Sequence, residues 1–268
     1  MAIITVSRQK GSLGDEIAKA VAAKLKYQFV DKVKIGDALA SQGFRELEFE
    51  KFDGKKPTVW QSLSDQKKKF IYLLRAAIYD FAKGGNVIIL GRGGQALLKD
   101  IPGTLKVRIV APVKNRIQYL MDQEGFDKNQ CERLIVVNDR DSSGFIRSFF
   151  DIDWDDENMY DLVLNTRTMS VDTATSLILE AVNSPEFQYR SEKVKKMLAD
   201  KALEQRINEV LVGFPGIVLE RIEVVQGAVS LAGLARFKDE IETCRKAVSS
   251  IEGVEDVHMN MNLFPLTV

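Results

Sequence analysis

The chain is poor in the residues on which many catalytic and metal sites depend. It contains one histidine and two cysteines among its 268 residues. A single histidine excludes a histidine-rich metal site and argues against histidine-based catalysis. The cysteines, Cys131 and Cys244, are far apart and fall in different predicted domains. We therefore expect no disulfide framework and a reducing compartment.

An excess of charge of one sign and long apolar runs are also missing. Lys plus Arg number 38 and Asp plus Glu number 38, so the formal net charge is zero. Binding to a phosphate backbone requires a basic excess, so we expect no nucleic-acid partner. The N-terminal apolar run is about five residues, too short for a signal peptide. No run approaches the roughly 20 apolar residues of a membrane span, and we expect a cytoplasmic protein.

What the sequence does contain is an alternation of strand and helix patterns. Buried strands are predicted at 2–6, 86–90, 105–111 and 160–165, with a short extended piece at 29–31. Helical spacing predicts helices at 15–26, 34–42, 59–83, 113–124, 128–150 and 171–182. Residues 43–57 are expected to form a flexible insert or loop. This order predicts an α/β fold, a parallel sheet with helices on both faces.

The pattern changes after Asn183. Residues 184–191 have the composition of a linker, and a helix is predicted at 193–212. A hairpin with its turn at Gln226-Gly227, a helix at 237–250 and a half-buried final strand follow. In that strand His258 alternates with core residues, so we expect it to face solvent or a partner rather than to bind a ligand. This part is predicted to be a small α+β domain.

The first candidate site is the loop after the first strand. A strand, a glycine-containing loop and a helix N-terminus form the architecture of a phosphate cradle, where backbone N–H groups and the helix dipole attract anions. The usual P-loop has Lys and a hydroxyl residue after its last glycine, and here Asp15 and Glu16 occupy those positions. A capping box of Ser12 and Asp15 is the alternative, and it would satisfy the helix N-terminus without a ligand.

The second and third candidates are Arg92 and Asp31. Arg92 lies in a Gly-Arg-Gly-Gly turn at the C-terminal end of a buried strand, where open α/β sheets bind ligands. Its guanidinium suits a phosphate, and a tight turn with a solvated arginine is an equal alternative. Asp31 could accept hydrogen bonds from a base or ribose, or cap the helix that begins near Lys34.

The fourth candidate is the charged segment that contains Arg133, Arg140 and Arg147. A helical lid that carries arginines can clamp a transferring phosphate. A charged, solvated helix face is the alternative interpretation.

Four segments occur in order along the chain: ITVSRQKGSLGDEIA, YQFVDK, NVIILGRGG and DIDWDDENMYDLVLNT. Together they resemble the cytidylate kinase-like family, a branch of the P-loop nucleoside monophosphate kinases, over residues 1–183. The resemblance implies a P-loop domain that transfers a phosphoryl group from ATP, with Mg²⁺, to a nucleoside monophosphate, most simply a pyrimidine one.

The resemblance also implies roles for individual residues. ATP would be bound by Arg8, Lys10, Gly11, Ser12 and Gly14. The acceptor would be bound by Asp31 and Arg92, and catalysis would involve Arg92 with Arg140 or Arg147. Ser12 would be a neighbour of magnesium, and no side chain is implied as a permanent metal ligand.

The chain departs from the family pattern at phosphate-handling positions. The family's first loop resembles S-R-x-x-G-S-G-G-R-E-I-A, whereas this chain has Leu13 in place of a glycine and Asp15 in place of a basic residue. The lid motif D-x-x-R reads Asp139-Arg140-Asp141-Ser142. Three hypotheses therefore stay open: a kinase with weakened catalysis, an inactive sensor of a nucleotide or another anion, and a purely structural protein.

The C-terminal part resembles a BON domain through IEVVQGAVSLAG, the helix after it and IEGVEDVHMNMNL. The predicted organisation is a kinase-like domain at 1–183, a linker and connector helix at 184–199, and a BON-like domain at 200–268. This second resemblance implies contact with a membrane or a protein and a regulatory or assembly role. An oligomer is compatible with it.

Overall fold

The computed structural model describes residues 2–44, 65–188 and 192–264. The chain divides into two compact units. Unit 1 comprises Met1–Ser62 and Gly84–Ser191, and unit 2 comprises Leu63–Lys83 and Glu192–Val268. In the described ranges, no helix combines the length and the apolar character needed to cross a membrane.

Unit 1 alternates strands and helices. Its strands are β1 (Ile3–Arg8), β2 (Gln28–Val30), β3 (Val87–Leu90), β4 (Thr104–Val110) and β5 (Leu162–Asn165). Its first two helices are α1 (Gly14–Leu25) and α2 (Lys32–Ser41), and α3 (Asp65–Gly84) follows in the chain but groups with unit 2. Its remaining helices are α4 (Gly94–Leu97), α5 (Val113–Glu124), α6 (Lys128–Phe150) and α7 (Val171–Asn183).

The five strands form a parallel sheet in the order β2-β3-β1-β4-β5. The central strand β1 pairs with β3 through Val6 and Leu90, and with β4 through Arg8 and Ile109. The apolar runs of β1 and β3 are buried along nearly their whole length, as parallel strands covered on both faces require. All carboxyl ends of the strands therefore meet at one edge of the sheet.

Helices cover both faces of this sheet. On one face, Ile4 and Val6 share a core with Ile17 of α1 and Ile178 of α7. On the other face lies α4, because a Cβ atom at Gly94 would come within 3.3 Å of Ile89 and Thr5. The predicted fold class, a parallel sheet between helices, is confirmed.

Unit 2 contains a second, smaller sheet. Its elements after α3 are α8 (Glu192–Leu211), β6 (Ile217–Val225), β7 (Ala228–Ala235), α9 (Lys238–Ser249) and β8 (Asp256–Leu263). Strand β7 is central, antiparallel to β6 and parallel to β8. Leu203 and Ile207 of α8 and Val248 of α9 pack against Leu231 of β7. The predicted small α+β module is therefore present.

Helix α3 forms salt bridges with α8 within unit 2. Arg206 is paired with Asp80, and Lys69 lies 3.5 Å from Glu209. The sequence placed this helix inside the kinase-like domain, since it precedes β3 in the chain. The structure instead brings it together with the C-terminal elements.

The two cysteines occupy different units. Cys131 in α6 and Cys244 in α9 are both buried and free. Burial raises the pKa of the Cys244 thiol to about 11 and raises the pKa of Cys131 as well. Both are therefore poor nucleophiles at neutral pH.

The helices predicted at 113–124 and 128–150 have those bounds in the structure. The other predicted elements in the described ranges are present with ends shifted by a few residues. The extended piece at 29–31 is a true strand, β2, whose three residues pair with β3. Most of the predicted insert, 45–57, and positions 59–64 lie outside the described residues.

Candidate functional site

The loop after β1 lies at the carboxyl edge of the sheet and leads directly into α1. Gly11 has φ +80°, and a Cβ atom there would lie 3.0 Å from the carbonyl oxygen of Arg116. A Cβ atom at Gly14 would lie 2.4 Å from Cβ of Arg8. Both positions therefore require glycine, one for its backbone angle and both for the closeness of their neighbours.

Leu13 ends this loop in an unusual backbone conformation. Its φ of 63° and ψ of 11° place it in the left-handed region, at the N-cap of α1. Such angles are rare for a bulky residue, because they bring its Cβ atom close to the backbone and raise the free energy of the folded state. A glycine at this position, as in the pattern that the first loop resembles, has no Cβ atom and would adopt these angles without that cost.

The capping box that the sequence offered as an alternative is not formed. Leu13, not Ser12, is the N-cap of α1, and no side chain caps it. The hydroxyl of Ser12 donates to the carbonyl oxygens of Gln9, at 2.7 Å, and Ile109, at 3.2 Å. The first N–H groups of α1 are therefore without a side-chain cap, which is the state that an anion-binding helix N-terminus requires.

The loop forms one wall of a cavity of about 560 Å³, part of it open to solvent, which we call the loop cavity. Its lining residues are Arg8, Gln9, Lys10, Gly11, Leu13, Gly14, Asp15, Glu16, Tyr119, Glu124, Asn138 and Ser142.

Both cations of the loop cavity are paired with carboxylates of the same cavity. Nε of Arg8 donates to Oδ1 of Asp15 at 2.6 Å, and Nζ of Lys10 donates to Oε1 of Glu124 at 2.7 Å. Glu16 accepts a hydrogen bond from the hydroxyl of Tyr119. Partial burial and this neighbouring carboxylate raise the pKa of the Tyr119 phenol, which keeps it protonated as a donor.

A buried ion pair fixes the loop against α5 and α6. Arg116 of α5 is 1% exposed and donates from Nε to the carbonyl oxygen of Lys10 at 2.7 Å. Its two terminal nitrogens donate to the two carboxylate oxygens of Asp139, each at 2.7 Å. Asp139, the first residue of the lid motif, therefore orients an arginine that holds the backbone of the loop. The sequence pattern gave no sign of Arg116, because its partners are far away in the chain.

A second cavity of about 350 Å³, including space open to solvent, adjoins the first; we call it the Arg92 cavity. Its lining residues are Ser7, Arg8, Gly91, Arg92, Gly93, Gln95, Ser142, Phe145, Ile146 and Trp154. Gly93 has φ +75°, and a Cβ atom there would lie 2.2 Å from the Phe150 ring, so the turn packs tightly under α6.

The segment after α6 supplies the aromatic wall of the Arg92 cavity. Nε1 of Trp154 donates to Oγ of Ser7 at 2.9 Å. The guanidinium of Arg108 lies 4.4 Å from the Trp154 ring centroid and is also paired with Asp155. Sequence patterns do not reveal this network, although the segment DIDWDDENMYDLVLNT contributes to the family resemblance.

Two residues, Arg8 and Ser142, line both cavities. Nη1 of Arg8 lies 3.0 Å from the Cβ position of Gly91, so its side chain reaches from the loop to the turn that carries Arg92. Ser142 is the position at which the lid motif has arginine. Arg8 is thus the cation at the junction of the two cavities.

The other predicted site residues lie apart from these cavities. Arg140 and Arg147 are exposed and line neither cavity, and Arg140 is 3.5 Å from Asp141. Asp31 caps α2 by accepting from the N–H groups of Val33, at 3.0 Å, and Lys34, at 3.2 Å. The capping alternative therefore describes Asp31, and the proposed catalytic roles of the two arginines stay predictions.

The parallel sheet, the glycine loop between β1 and α1 and the adjoining Arg92 turn define a P-loop kinase-like protein with a nucleotide-binding fold. A family model described as "Cytidylate kinase-like family" matches residues 3–168, which is more than half of the chain. The chain belongs to this family.

Relatives agree with this assignment, and a solved structure shares the fold. The cytidylate kinase of Methanocaldococcus jannaschii is 25% identical over 184 residues, which cover 68% of this chain and 98% of that protein. The cytidylate kinase of Archaeoglobus fulgidus is 27% identical over 180 residues, 67% of this chain and 93% of that protein. The crystal structure of an uncharacterized protein from Eubacterium ventriosum superposes with a TM-score of 0.55 at 20% identity, covering 68% of this chain and 98% of that one.

Proposed function

We propose that the protein transfers the γ-phosphoryl group of ATP to a nucleoside monophosphate of the cytidylate type. One observation carries this proposal: two cavities meet at Arg8 and Ser142, one lined by a helix N-terminus without a side-chain cap and the other by Arg92. Two adjoining anion sites at the carboxyl edge of a parallel sheet are what a donor and an acceptor phosphate need.

The loop cavity would hold the nucleotide donor. The N–H groups at the start of α1 fit phosphate oxygens, and Lys10 and Arg8 would contact them after leaving Glu124 and Asp15. ATP supplies the transferable phosphoryl group, and Mg²⁺ neutralises its charge. Ser12 is 1% exposed and donates to two carbonyls, so its proposed place beside magnesium requires its side chain to rotate.

The Arg92 cavity would hold the acceptor. A guanidinium at the end of β3 can bind a monophosphate through two parallel hydrogen bonds. Trp154 and Phe145 provide an apolar wall that excludes water from the reacting phosphates. Catalysis would then consist of positioning and of charge stabilisation, with no covalent intermediate.

A coupled assay with ATP, Mg²⁺ and each of CMP, dCMP, UMP and AMP tests the proposal. We expect turnover with a pyrimidine monophosphate and little with AMP. Absence of turnover with all four acceptors would contradict the kinase proposal.

A second candidate function is that of a sensor without catalysis. The observation that favours it is the pairing of both loop cations with carboxylates, which phosphates must displace. A thermal-shift series with ATP, ADP and CMP tests it, because a ligand at 100 times its dissociation constant adds about 2.7 kcal/mol of stability. Stabilisation without turnover would support the sensor, and no shift with any ligand would contradict it.

We further propose that unit 2 acts as a BON-like module that contacts a membrane or a protein in the cytoplasm. Its helix–hairpin–helix–strand order supports this reading, and exposed apolar residues such as Val218, Phe237 and Leu263 could contribute to contact. Co-sedimentation of the full chain with vesicles of anionic and of neutral lipid tests the membrane alternative. Retention in the supernatant with both vesicle types would leave protein contact.

A further inference from the structure

The Arg92 cavity contains a buried amide whose donor is unused. Gln95 is the second residue of the short helix α4 and is 2% exposed. Among the residues that the structure describes, its Nε2 atom has no hydrogen-bond partner, and the side chain lines the Arg92 cavity. Buried amide donors in folded proteins are nearly always paired, so an unpaired donor in a cavity wall points to a partner that arrives from outside.

The charges around Gln95 indicate the kind of partner. Arg8 and Arg92 line the same cavity, and no carboxylate of the described chain does so. The oxygen of Ser7 already accepts from Trp154 at 2.9 Å. An anionic molecule that brings oxygen acceptors would therefore meet an amide N–H₂ and two guanidinium groups in one cavity, and it would share Arg8 with Asp15.

Two buried hydroxyl groups of unit 1 do not share this setting. The hydroxyl oxygens of Thr104 and Thr175 are also buried without a partner, but neither residue lines the Arg92 cavity. Thr175 is 0% exposed on α7, which packs against the opposite face of the sheet. It therefore provides a matched control for the removal of a buried unpaired group.

We propose that Gln95 is a specificity-determining residue, which donates a hydrogen bond from Nε2 to an oxygen of the phosphoryl acceptor in the Arg92 cavity. The proposal rests on the proposed function and names a contact within that site. The acceptor is an anion such as a phosphate monoester, whose oxygens face both the arginines and the amide.

The variant Gln95→Met tests the contact, because methionine has nearly the same length and no donor. At saturating ATP, we expect the KM for CMP to rise at least tenfold, while the KM for ATP stays within twofold. Without ligand, the melting temperature should be unchanged or higher, because an unpaired buried amide is replaced by an apolar group. Thr175→Val should leave both KM values unchanged.

An unchanged KM for CMP in Gln95→Met would overturn the proposal. So would a fall in the melting temperature together with equal losses for CMP and ATP, since that result describes a purely structural amide.

The proposal is also testable if the kinase function fails. If the wild type turns over no acceptor, calorimetric titration of wild type and Gln95→Met with CMP and with inorganic phosphate decides. Binding that is at least tenfold weaker in the variant supports the contact. If the variant binds inorganic phosphate more weakly, Gln95 contacts the phosphate oxygens. If it binds only CMP more weakly, Gln95 contacts another part of the acceptor. Equal binding, or binding by neither protein, overturns the proposal.

Discussion

The two adjoining cavities of unit 1 differ in how their cations are matched. In the loop cavity, Arg8 and Lys10 contact Asp15 and Glu124, and Glu16 adds a third carboxylate. In the Arg92 cavity, the described lining residues include two guanidinium groups and no carboxylate. A phosphate bound in the first cavity must therefore displace carboxylates of the cavity itself, whereas the described lining of the second cavity adds no carboxylate that would repel it.

The difference indicates that the backbone of unit 1 and the charges of its cavities are set by different residues. The glycines and apolar residues that shape the loop and the sheet are present, so the cradle has its backbone form. The charged residues around that backbone decide how tightly it binds an anion. Substitutions can therefore change one cavity without the other.

The largest expected effect comes from a residue that supports the loop cavity through Arg116. Asp139→Ala leaves Arg116 buried and without its carboxylate, which should destabilise the protein by about 3 kcal/mol. This value is at the low end for a broken buried pair, because the Asp139 side chain is 30% exposed. Urea denaturation measures it, and Asp141→Ala, beside the exposed Arg140, should change stability by less than about 0.5 kcal/mol. Equal effects in the two variants would contradict the bridging role of Arg116.

The next effect is confined to the Arg92 cavity. Arg92→Ala removes a charged donor to the acceptor, and loss of such hydrogen bonds costs about 1.5–3 kcal/mol, or roughly 10- to 100-fold in kcat/KM for CMP. The KM for ATP should change little, because Arg92 does not line the loop cavity. Arg236→Ala serves as the control, because Arg236 is an exposed arginine of unit 2 that lines neither cavity. If Arg92→Ala weakened the use of ATP and of CMP equally, the assignment of the two ligands to separate cavities would be contradicted.

Gly14→Ala should act on the loop cavity through sterics. The added Cβ atom would lie 2.4 Å from Cβ of Arg8, so the loop or β1 must shift, at a cost of about 1–3 kcal/mol. A Cβ atom at Gly84 would meet nothing within 4 Å, so Gly84→Ala is the matched control. Thermal denaturation compares the two variants. Unchanged stability in Gly14→Ala would contradict the steric argument, because it would mean that the loop accommodates a Cβ atom at this position.

The smallest effect is a gain. Asp15→Asn removes the carboxylate that competes for Arg8, and because the pair is partly exposed we expect about a threefold to tenfold tighter binding of ATP. Asp15→Lys should bind ATP tighter still. Glu16→Gln, which keeps an acceptor for Tyr119, should have a weaker effect. Weaker ATP binding in Asp15→Asn would refute the competition between carboxylate and phosphate.

Periodicity and turn residues predicted most elements of the fold because apolar spacing is a local property. The sheet, the bounds of α5 and α6 and the module of unit 2 follow from such patterns. The short strand β2 carries too few residues to be distinguished from a loop. The grouping of α3 with unit 2 involves residues more than a hundred positions apart in the chain, such as the ion pair of Asp80 with Arg206.

The site was predicted in part for the same reason. Motifs located the loop and Arg92, since glycines and strand ends are visible in sequence. The pairing of Lys10 with Glu124 and of Arg116 with Asp139 joins separate elements, so no spacing rule reveals it. The motif D-x-x-R has its arginine at the position of Ser142, which lines both cavities, whereas the substitutes Arg140 and Arg147 line neither.

The central claim is that the two cavities hold a donor and an acceptor side by side. A compound that joins adenosine and cytidine through five phosphates tests it directly, because such a ligand must occupy both cavities at once. Calorimetric titration should give a Kd at least tenfold lower than that of either ATP or CMP, with the gain over ATP lost in Arg92→Ala. A Kd no lower than that of ATP, with no response to Arg92→Ala, would contradict the account.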